Sequence, residues 1–105
     1  MPKDFEYLKE MYQDEYFPNK LVDKVRDLLK AVVSYLESGA HSTQDIQNEL
    51  DKAITGINNL QEDFEESDSE IETVARESIG DTIDQILKYF EVDIDIEEAM
   101  RERDW

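Results

Sequence analysis

The sequence has no cysteine and few residues that break or bend the chain, with three Gly and two Pro among 105 residues. The absence of cysteine excludes disulfides, thiolate metal sites, iron–sulfur clusters and cysteine nucleophiles. Three scattered glycines do not form a glycine-rich phosphate loop. The single histidine, His41, excludes di-iron sites that need a histidine on each of two helices, and its predicted exposed loop gives no sign of a catalytic triad.

Long apolar runs are also missing. No stretch approaches the roughly 20 apolar residues of a membrane span. Acids appear at Asp4 and Glu6, and the apolar core segment of a secretion signal is missing. Hydrophobic residues make up 39% of the chain and charged residues 37%. This composition alone does not indicate whether the chain folds, so the spacing of the apolar residues has to be considered. We expect a cytoplasmic protein with no membrane segment.

Positive charge is scarce, since 11 Lys and Arg stand against 28 Asp and Glu, for a net charge of −17. Most of this negative charge lies in residues 53–100, which contain 15 Asp and Glu but two basic residues, Arg76 and Lys88. Such a field repels nucleic acid and anionic membranes, which bind through Lys and Arg. We therefore expect that the protein binds neither nucleic acid nor membranes and that any charged partner is a basic protein. No cofactor is expected.

Apolar residues recur every three to four positions in three segments, which predicts an all-α fold. Long helices are expected at about residues 20–38, 43–66 and 69–90, with a short helix near each end of the chain. Because the connections are short, neighbouring long helices are expected to run antiparallel in a bundle that forms one domain over residues 1–105.

The buried face of the first long helix is expected to comprise Leu21, Val22, Val25, Leu28, Leu29, Val32, Val33 and Leu36. That of the third is expected to comprise Ile71, Val74, Ala75, Ile79, Ile83, Ile86, Leu87 and Phe90. The short first helix is expected to place Phe5, Leu8 and Tyr12 on one face.

Local signals mark where these helices begin. Pro18 precedes the first long helix, and Ser42 suits the N-cap of the second. Ser69 has a glutamate three positions later, which fits a capping box and predicts that the third helix begins there. Asp95 has the same pattern and predicts a short last helix that extends to about Arg103. Gly56 is expected on the polar side of the second long helix.

Residues 62–72 hold seven acids and no base. One interpretation is a solvated helix junction whose later carboxylates favour the N-terminus of the next helix; another is a docking surface for a basic protein. Taken with the acids of residues 91–98, they form a candidate partner-binding face: Glu62, Asp63, Glu65, Glu66, Asp68, Glu70, Glu72, Glu91, Asp93, Asp95, Glu97 and Glu98.

The leading functional hypothesis is a non-enzymatic helical binding module, such as an inhibitor or immunity-type protein for a basic partner, because complementary charge speeds association and discriminates partners. An alternative is a Mg²⁺-dependent enzyme in which two carboxylate clusters on facing helices converge on the metal. This arrangement is similar to the Glu-x-x-Glu and Glu-x-x-Asp pattern of the all-α nucleotide pyrophosphohydrolases. It departs from that pattern at Gly80, so the ligand set would be Glu62, Glu65, Glu77, Asp81 and Asp84.

Aromatic residues concentrate near the start of the sequence and recur at its last position, as Phe5, Tyr7, Tyr12, Tyr16, Phe17 and Trp105. We expect both segments to pack onto the bundle, with an exposed interaction site or the interface of a homodimeric scaffold as the alternative. Arg76 has the helical spacing to pair with Glu72, and such a pair is expected.

Three stretches resemble an uncharacterised bacterial family of unknown function. They are residues 11–25; residues 57–77, which include the motif Ser-Glu-Ile-Glu-Thr-Val-Ala-Arg-Glu at 69–77; and residues 95–98 with the terminal Arg103-Asp104-Trp105. The resemblance implies a bacterial cytosolic single-domain protein in which the 69–77 motif and the tail belong to the domain. It transfers no catalytic residue, because the family has no assigned activity.

Overall fold

Five α-helices and no strand form the chain in a computed structural model that describes residues 1–105. The all-α bundle with three long and two short helices is therefore confirmed. No helix has both the length and the apolar content that crossing a membrane requires. The helices are α1 (Lys9–Gln13), α2 (Asn19–Glu37), α3 (Thr43–Glu66), α4 (Thr73–Tyr89) and α5 (Ile96–Ala99).

The most extensive backbone contact is between α2 and α3, whereas the backbone of α4 lies close mainly to α1 and α5. Gly56 lies where α2 and α3 approach, because a Cβ atom added there would come within 2.9 Å of both Cδ atoms of Leu28. Gly56 also lines a recess with the polar residues Lys52 and Thr55, so it lies at the border between the expected polar side of α3 and the contact with α2. Its missing side chain leaves the room that Leu28 occupies, which offsets the low helix propensity of glycine.

One cluster of 24 buried apolar residues joins all five helices. The stripe predicted for α4 supplies Ile79, Ile83 and Ile86 to this core, each with at most 1% of its surface exposed. Val74 was expected on the same face, but it is 45% exposed. The periodicity therefore identified the buried side of α4 correctly from its second turn onward.

The third long helix begins at Thr73, four residues later than the predicted Ser69. The reason is the way α3 ends. The Ser69 amide N–H donates to the Phe64 carbonyl at 2.8 Å and the Asp68 N–H donates to the Glu65 carbonyl at 3.1 Å, with Asp68 in the left-handed conformation at φ 58°. These two bonds define a Schellman ending, so Ser69 closes α3 and no capping box forms there.

The end of α4 repeats this geometry. The Val92 N–H donates to the Leu87 carbonyl at 2.8 Å and the Glu91 N–H donates to the Lys88 carbonyl at 3.1 Å, with Glu91 at φ 55°. Glycine usually occupies this left-handed position, because it has no Cβ atom to clash with the backbone. Here an acidic residue occupies it in both helices.

A buried hydroxyl on α4 holds the N-terminal segment in place. The Leu8 N–H donates to Thr82 Oγ1 at 3.1 Å, and that hydroxyl donates to the Ser78 carbonyl at 2.8 Å. Leu8 precedes α1 in a left-handed conformation, with its side chain fully buried. Phe5, expected within a first helix, lies before α1 and packs half-buried against the core.

The C-terminal segment lies along the polar side of α3. Two bonds join the Arg101 guanidinium to the Asp51 carboxylate at 2.7 and 3.2 Å, and the Asn58 side-chain amide donates to the Glu102 carbonyl at 2.8 Å. The last helix ends at Ala99, earlier than expected. Trp105 packs half-buried against the core, so the aromatic end of the chain folds onto the bundle.

Candidate functional site

The acids of residues 62–72 lie on the last turns of α3, on the Schellman turn and on the extended residues before α4. Six of the seven are exposed and Asp63 is half-buried. No Lys, Arg or His nitrogen lies within 4.0 Å of any of their carboxylate oxygens. We call this set the acidic junction: Glu62, Asp63, Glu65, Glu66, Asp68, Glu70 and Glu72.

Three buried residues hold the junction in shape. Phe64 is fully buried, Ser69 is 1% exposed and Ile71 is 8% exposed. Because these three residues are buried, the carboxylates between them point toward solvent. A charged group is strongly disfavoured in the core unless it is paired. The chain therefore displays its densest negative charge on a segment that the core fixes.

The carboxylates of the junction interact unfavourably with one another. The pKa of Glu70 is raised above its ordinary value because its protonated form can donate a hydrogen bond to Glu72, and because the negative charges of Glu72 and Glu65 and partial desolvation disfavour its ionised form. A raised carboxyl pKa means that the charged form is disfavoured in the folded protein. The junction thus holds charge that a nearby cation would stabilise.

Tyr16 lies beside this cluster. Desolvation, followed by the negative charges of Glu72 and Glu70, raises the pKa of the Tyr16 phenol. The ring packs edge-on against buried Phe17 with centroids 5.1 Å apart, yet Tyr16 is 44% exposed. An aromatic ring supported on one side and open on the other therefore borders the acidic junction.

The second acidic stretch, residues 91–98, does not join the first. Residues 90–93 line a recess of about 330 Å³ together with Thr43 and Ile46, at the start of α3. The acidic junction lies at the opposite end of α3. This helix is 24 residues long and therefore spans roughly 36 Å. The single acidic face expected from the sequence is thus two separate surfaces.

Several acids of residues 91–98 also have partners within the chain. Glu98 pairs with Arg101 at 3.1 Å, and Glu97 lies 4.0 Å from Arg103. Asp95 caps α5 by accepting from the Glu97 N–H at 3.2 Å. Glu91 and Asp93 have no base within 4.0 Å, so residues 91–98 remain a second predicted partner surface, less densely charged than the acidic junction.

The carboxylates of the magnesium hypothesis are not gathered into one site; they are Glu62, Glu65, Glu77, Asp81 and Asp84. Glu62 and Glu65 line a recess formed by α3 residues alone, whereas Glu77 lines another beside Arg76 and Arg103. Asp84 pairs with Lys88 at 2.8 Å. No group of three or more acidic or histidine side chains is placed to hold a metal ion.

Two expected side-chain environments differ in the structure. Arg76 makes no ion pair with Glu72, because Glu72 precedes α4 instead of lying within it. His41 is half-buried, with its ring stacked on Tyr35 at 3.8 Å and its Nε2 atom 2.9 Å from the Tyr35 carbonyl oxygen. The histidine thus caps the end of α2, which a loop assignment from sequence could not indicate.

The fold and the site together define a small all-α bundle with a dense acidic helix junction that has no basic partner within the chain. The chain belongs to the family of unknown function DUF5713, whose model matches residues 1–105. The resemblance to a family without an assigned activity is thereby confirmed. No curated protein and no solved structure was found to match it.

Proposed function

We propose that this protein is a non-enzymatic binding module whose acidic junction engages a basic protein. In this proposal it acts in the bacterial cytoplasm, in the manner of an inhibitor or immunity protein. The observation that supports it best is the set of seven acids, six of them exposed, with no base within 4.0 Å. Acids without a base within 4.0 Å also occur elsewhere in the chain, such as Asp4 and Glu10, but the junction has seven of them within eleven residues.

The energetics of the junction favour a cationic partner. Carboxylates that repel one another in the free protein gain more from an incoming Lys or Arg than isolated carboxylates would, because binding also relieves the repulsion. Complementary charge additionally raises the association rate and rejects acidic competitors. The charges of Glu72 and Glu65 are among the causes of the raised pKa of Glu70, which supports this argument.

Tyr16 adds an apolar contact next to the charges. Tyrosine is enriched among the residues that dominate binding energy, since its ring buries apolar area and its hydroxyl can still form hydrogen bonds. An exposed tyrosine face can also receive an Arg side chain through a cation–π contact. We expect Tyr16 to lie inside the interface with the basic partner.

The decisive experiment compares two variants of equal charge. The junction variant carries Glu65→Gln, Glu66→Gln and Glu70→Gln, and the control carries Asp4→Asn, Glu10→Gln and Glu15→Gln at exposed acids outside the junction and without ion pairs. Proteins captured from the native host by the wild type are identified and purified, and their affinities for all three forms are measured by calorimetry at several salt concentrations.

The expected result is a basic partner whose affinity falls by about tenfold or more for the junction variant and by less than about twofold for the control. Its affinity should also weaken as salt rises. Equal weakening by the two variants, or the recovery of no basic partner from the host, would refute the proposal.

A further inference from the structure

A recess of about 490 Å³ lies between the N-terminal segment and α2. Its walls come from residues 1–12 on one side and from the exposed turns between Arg26 and Glu37 on the other. This volume falls within the range of ordinary small-molecule sites, roughly 300–1,000 Å³. The recess shares no residue with the acidic junction.

The charge of this lining is opposite to that of the protein. Lys3, Arg26 and Lys30 line the recess against the single acid Glu37, although the chain as a whole has a net charge of −17. Lys3 and Lys30 have no carboxylate within 4.0 Å. Two of the seven lysines in the sequence therefore line one recess without a carboxylate within 4.0 Å.

Arg26 contributes charge without being available as a flexible ligand. Its guanidinium pairs with Asp23 at 3.3 Å and with Asp27 at 3.0 Å. The Tyr12 hydroxyl is likewise occupied, because it donates to Asp23 at 2.5 Å. Lys3 and Lys30 are thus the side-chain cations of this recess that have no carboxylate partner.

Aromatic rings form the apolar part of the recess. Phe5 and Tyr7 pack edge to face with centroids 4.9 Å apart, and the Lys30 ammonium lies 5.7 Å from the centre of the Tyr7 ring. Burial and the charge of Glu37 raise the pKa of Tyr7, so its hydroxyl stays protonated at neutral pH and can donate a hydrogen bond.

We propose that this recess binds a small organic anion, a carboxylate or a phosphate monoester, that carries a flat apolar ring. Lys3 and Lys30 would hold the anionic group and the Phe5–Tyr7 pair would contact the ring. Large polyanions are disfavoured, because they extend beyond the recess to surfaces where the net negative charge of the chain repels them.

Amide chemical-shift titrations of the isotope-labelled protein test this directly. The ligands are benzoate, phenyl phosphate and the uncharged analogue benzamide, so that the carboxylate, the phosphate and the ring alone are distinguished. The expected result is saturable shifts for one or both anions at the amides of Tyr7, Lys30 and Ser34, with benzamide about tenfold weaker or more. An absence of saturable shifts with both anions, or equal binding of benzamide, overturns the proposal.

Matched lysine variants locate the charge that matters. Lys30→Gln should weaken the binding of the anion by about tenfold, whereas Lys24→Gln, on the same helix and outside the recess, should change it by less than about twofold. Both residues are exposed, and circular dichroism checks that each variant folds. Equal affinities of the two variants would show that the recess does not select the anion. The proposed binding of a basic protein does not depend on this result, because the acidic junction shares no residue with the recess.

Discussion

Two buried hydroxyls one turn apart on α4 differ in what they bond. Thr82 Oγ1 accepts from the Leu8 N–H and donates to the Ser78 carbonyl, whereas Ser78 Oγ has no hydrogen-bond partner. Thr82→Val keeps the shape of the side chain but removes the acceptor of the Leu8 N–H. A buried N–H without an acceptor destabilises a fold by about 1–3 kcal/mol. We expect Thr82→Val to lower the free energy of unfolding by that amount, as measured by urea denaturation.

Ser78→Ala is the matched control, because it removes a buried hydroxyl that makes no bond. We expect it to change the free energy of unfolding by less than about 0.5 kcal/mol. Equal losses in the two variants would mean that the Leu8 N–H does not depend on Thr82 for the attachment of the N-terminal segment.

The link between Asp51 and Arg101 gives the tail a defined pH dependence. Burial raises the pKa of Asp51, but hydrogen bonds from Arg101 and Gln47 and the charge of Arg101 outweigh burial, and the net pKa lies below its usual value. A lowered carboxyl pKa stabilises the fold above the ordinary pKa, and the contribution disappears as the pH falls through the folded value.

We therefore expect Asp51→Asn to lower the free energy of unfolding by about 1 kcal/mol at neutral pH, with the difference from the wild type shrinking below about pH 4. Urea denaturation across this pH range measures it. Glu98→Gln, which removes a more exposed partner of the same arginine, should have a much smaller effect. A difference that persists unchanged in acid would rule out the pair as its source.

Among the elements, α2 was the most predictable from sequence and the start of α4 the least. In α2, seven of the eight residues expected on the buried face are buried, since their spacing matches the helical repeat and Pro18 marks the start. The start of α4 depends instead on Asp68 taking a left-handed conformation. Because no glycine marks this turn, Ser69 with Glu72 formed a capping pattern in the sequence that the folded structure does not use.

The candidate site was predictable to the same partial degree. The acids of residues 62–72 stand out by composition, and their exposure follows from their charge. That residues 91–98 lie at the other end of α3 depends on the path of the chain after α4, which composition does not contain. The recess beside Lys30 could not be predicted from the sequence, because it forms only when the segment with Phe5 and Tyr7 packs against α2.

The left-handed turn between α3 and α4 offers a test in which stability and charge are separated. Asp68→Gly and Asp68→Ala remove the same carboxylate, but glycine alone relieves the left-handed conformation. We expect the glycine variant to be more stable than the alanine variant by about 1 kcal/mol, as measured by thermal or urea denaturation. Equal stabilities would indicate that the turn changes conformation once the aspartate is lost.

For the molecule as a whole, the net charge of −17 works against the compact state. Like charges are held closer in the folded chain than in the unfolded one, so self-repulsion lowers stability and salt relieves it. The raised pKa of Glu70 has the same sign: its contribution to stability is present at low pH and is lost as pH rises through the folded value. Both effects concentrate at the acidic junction.

Raising NaCl from about 0.02 M to about 0.5 M should accordingly raise the thermal unfolding midpoint by on the order of 5 °C. The increase should be smaller in the junction variant with Glu65→Gln, Glu66→Gln and Glu70→Gln than in the charge-matched control with Asp4→Asn, Glu10→Gln and Glu15→Gln. The same increase in both would place the repulsion over the whole surface instead of the junction.

Divalent cations complete this test, because they separate screening from binding at a site. Since no three carboxylates are placed to share a metal, millimolar Mg²⁺, Mn²⁺ or Ca²⁺ should raise the unfolding midpoint no further than NaCl of the same ionic strength. A ligand specific for the native state would add stability by mass action. An additional saturable increase that is lost with Glu62→Gln would contradict this prediction and favour the metal-dependent enzyme over the binding module.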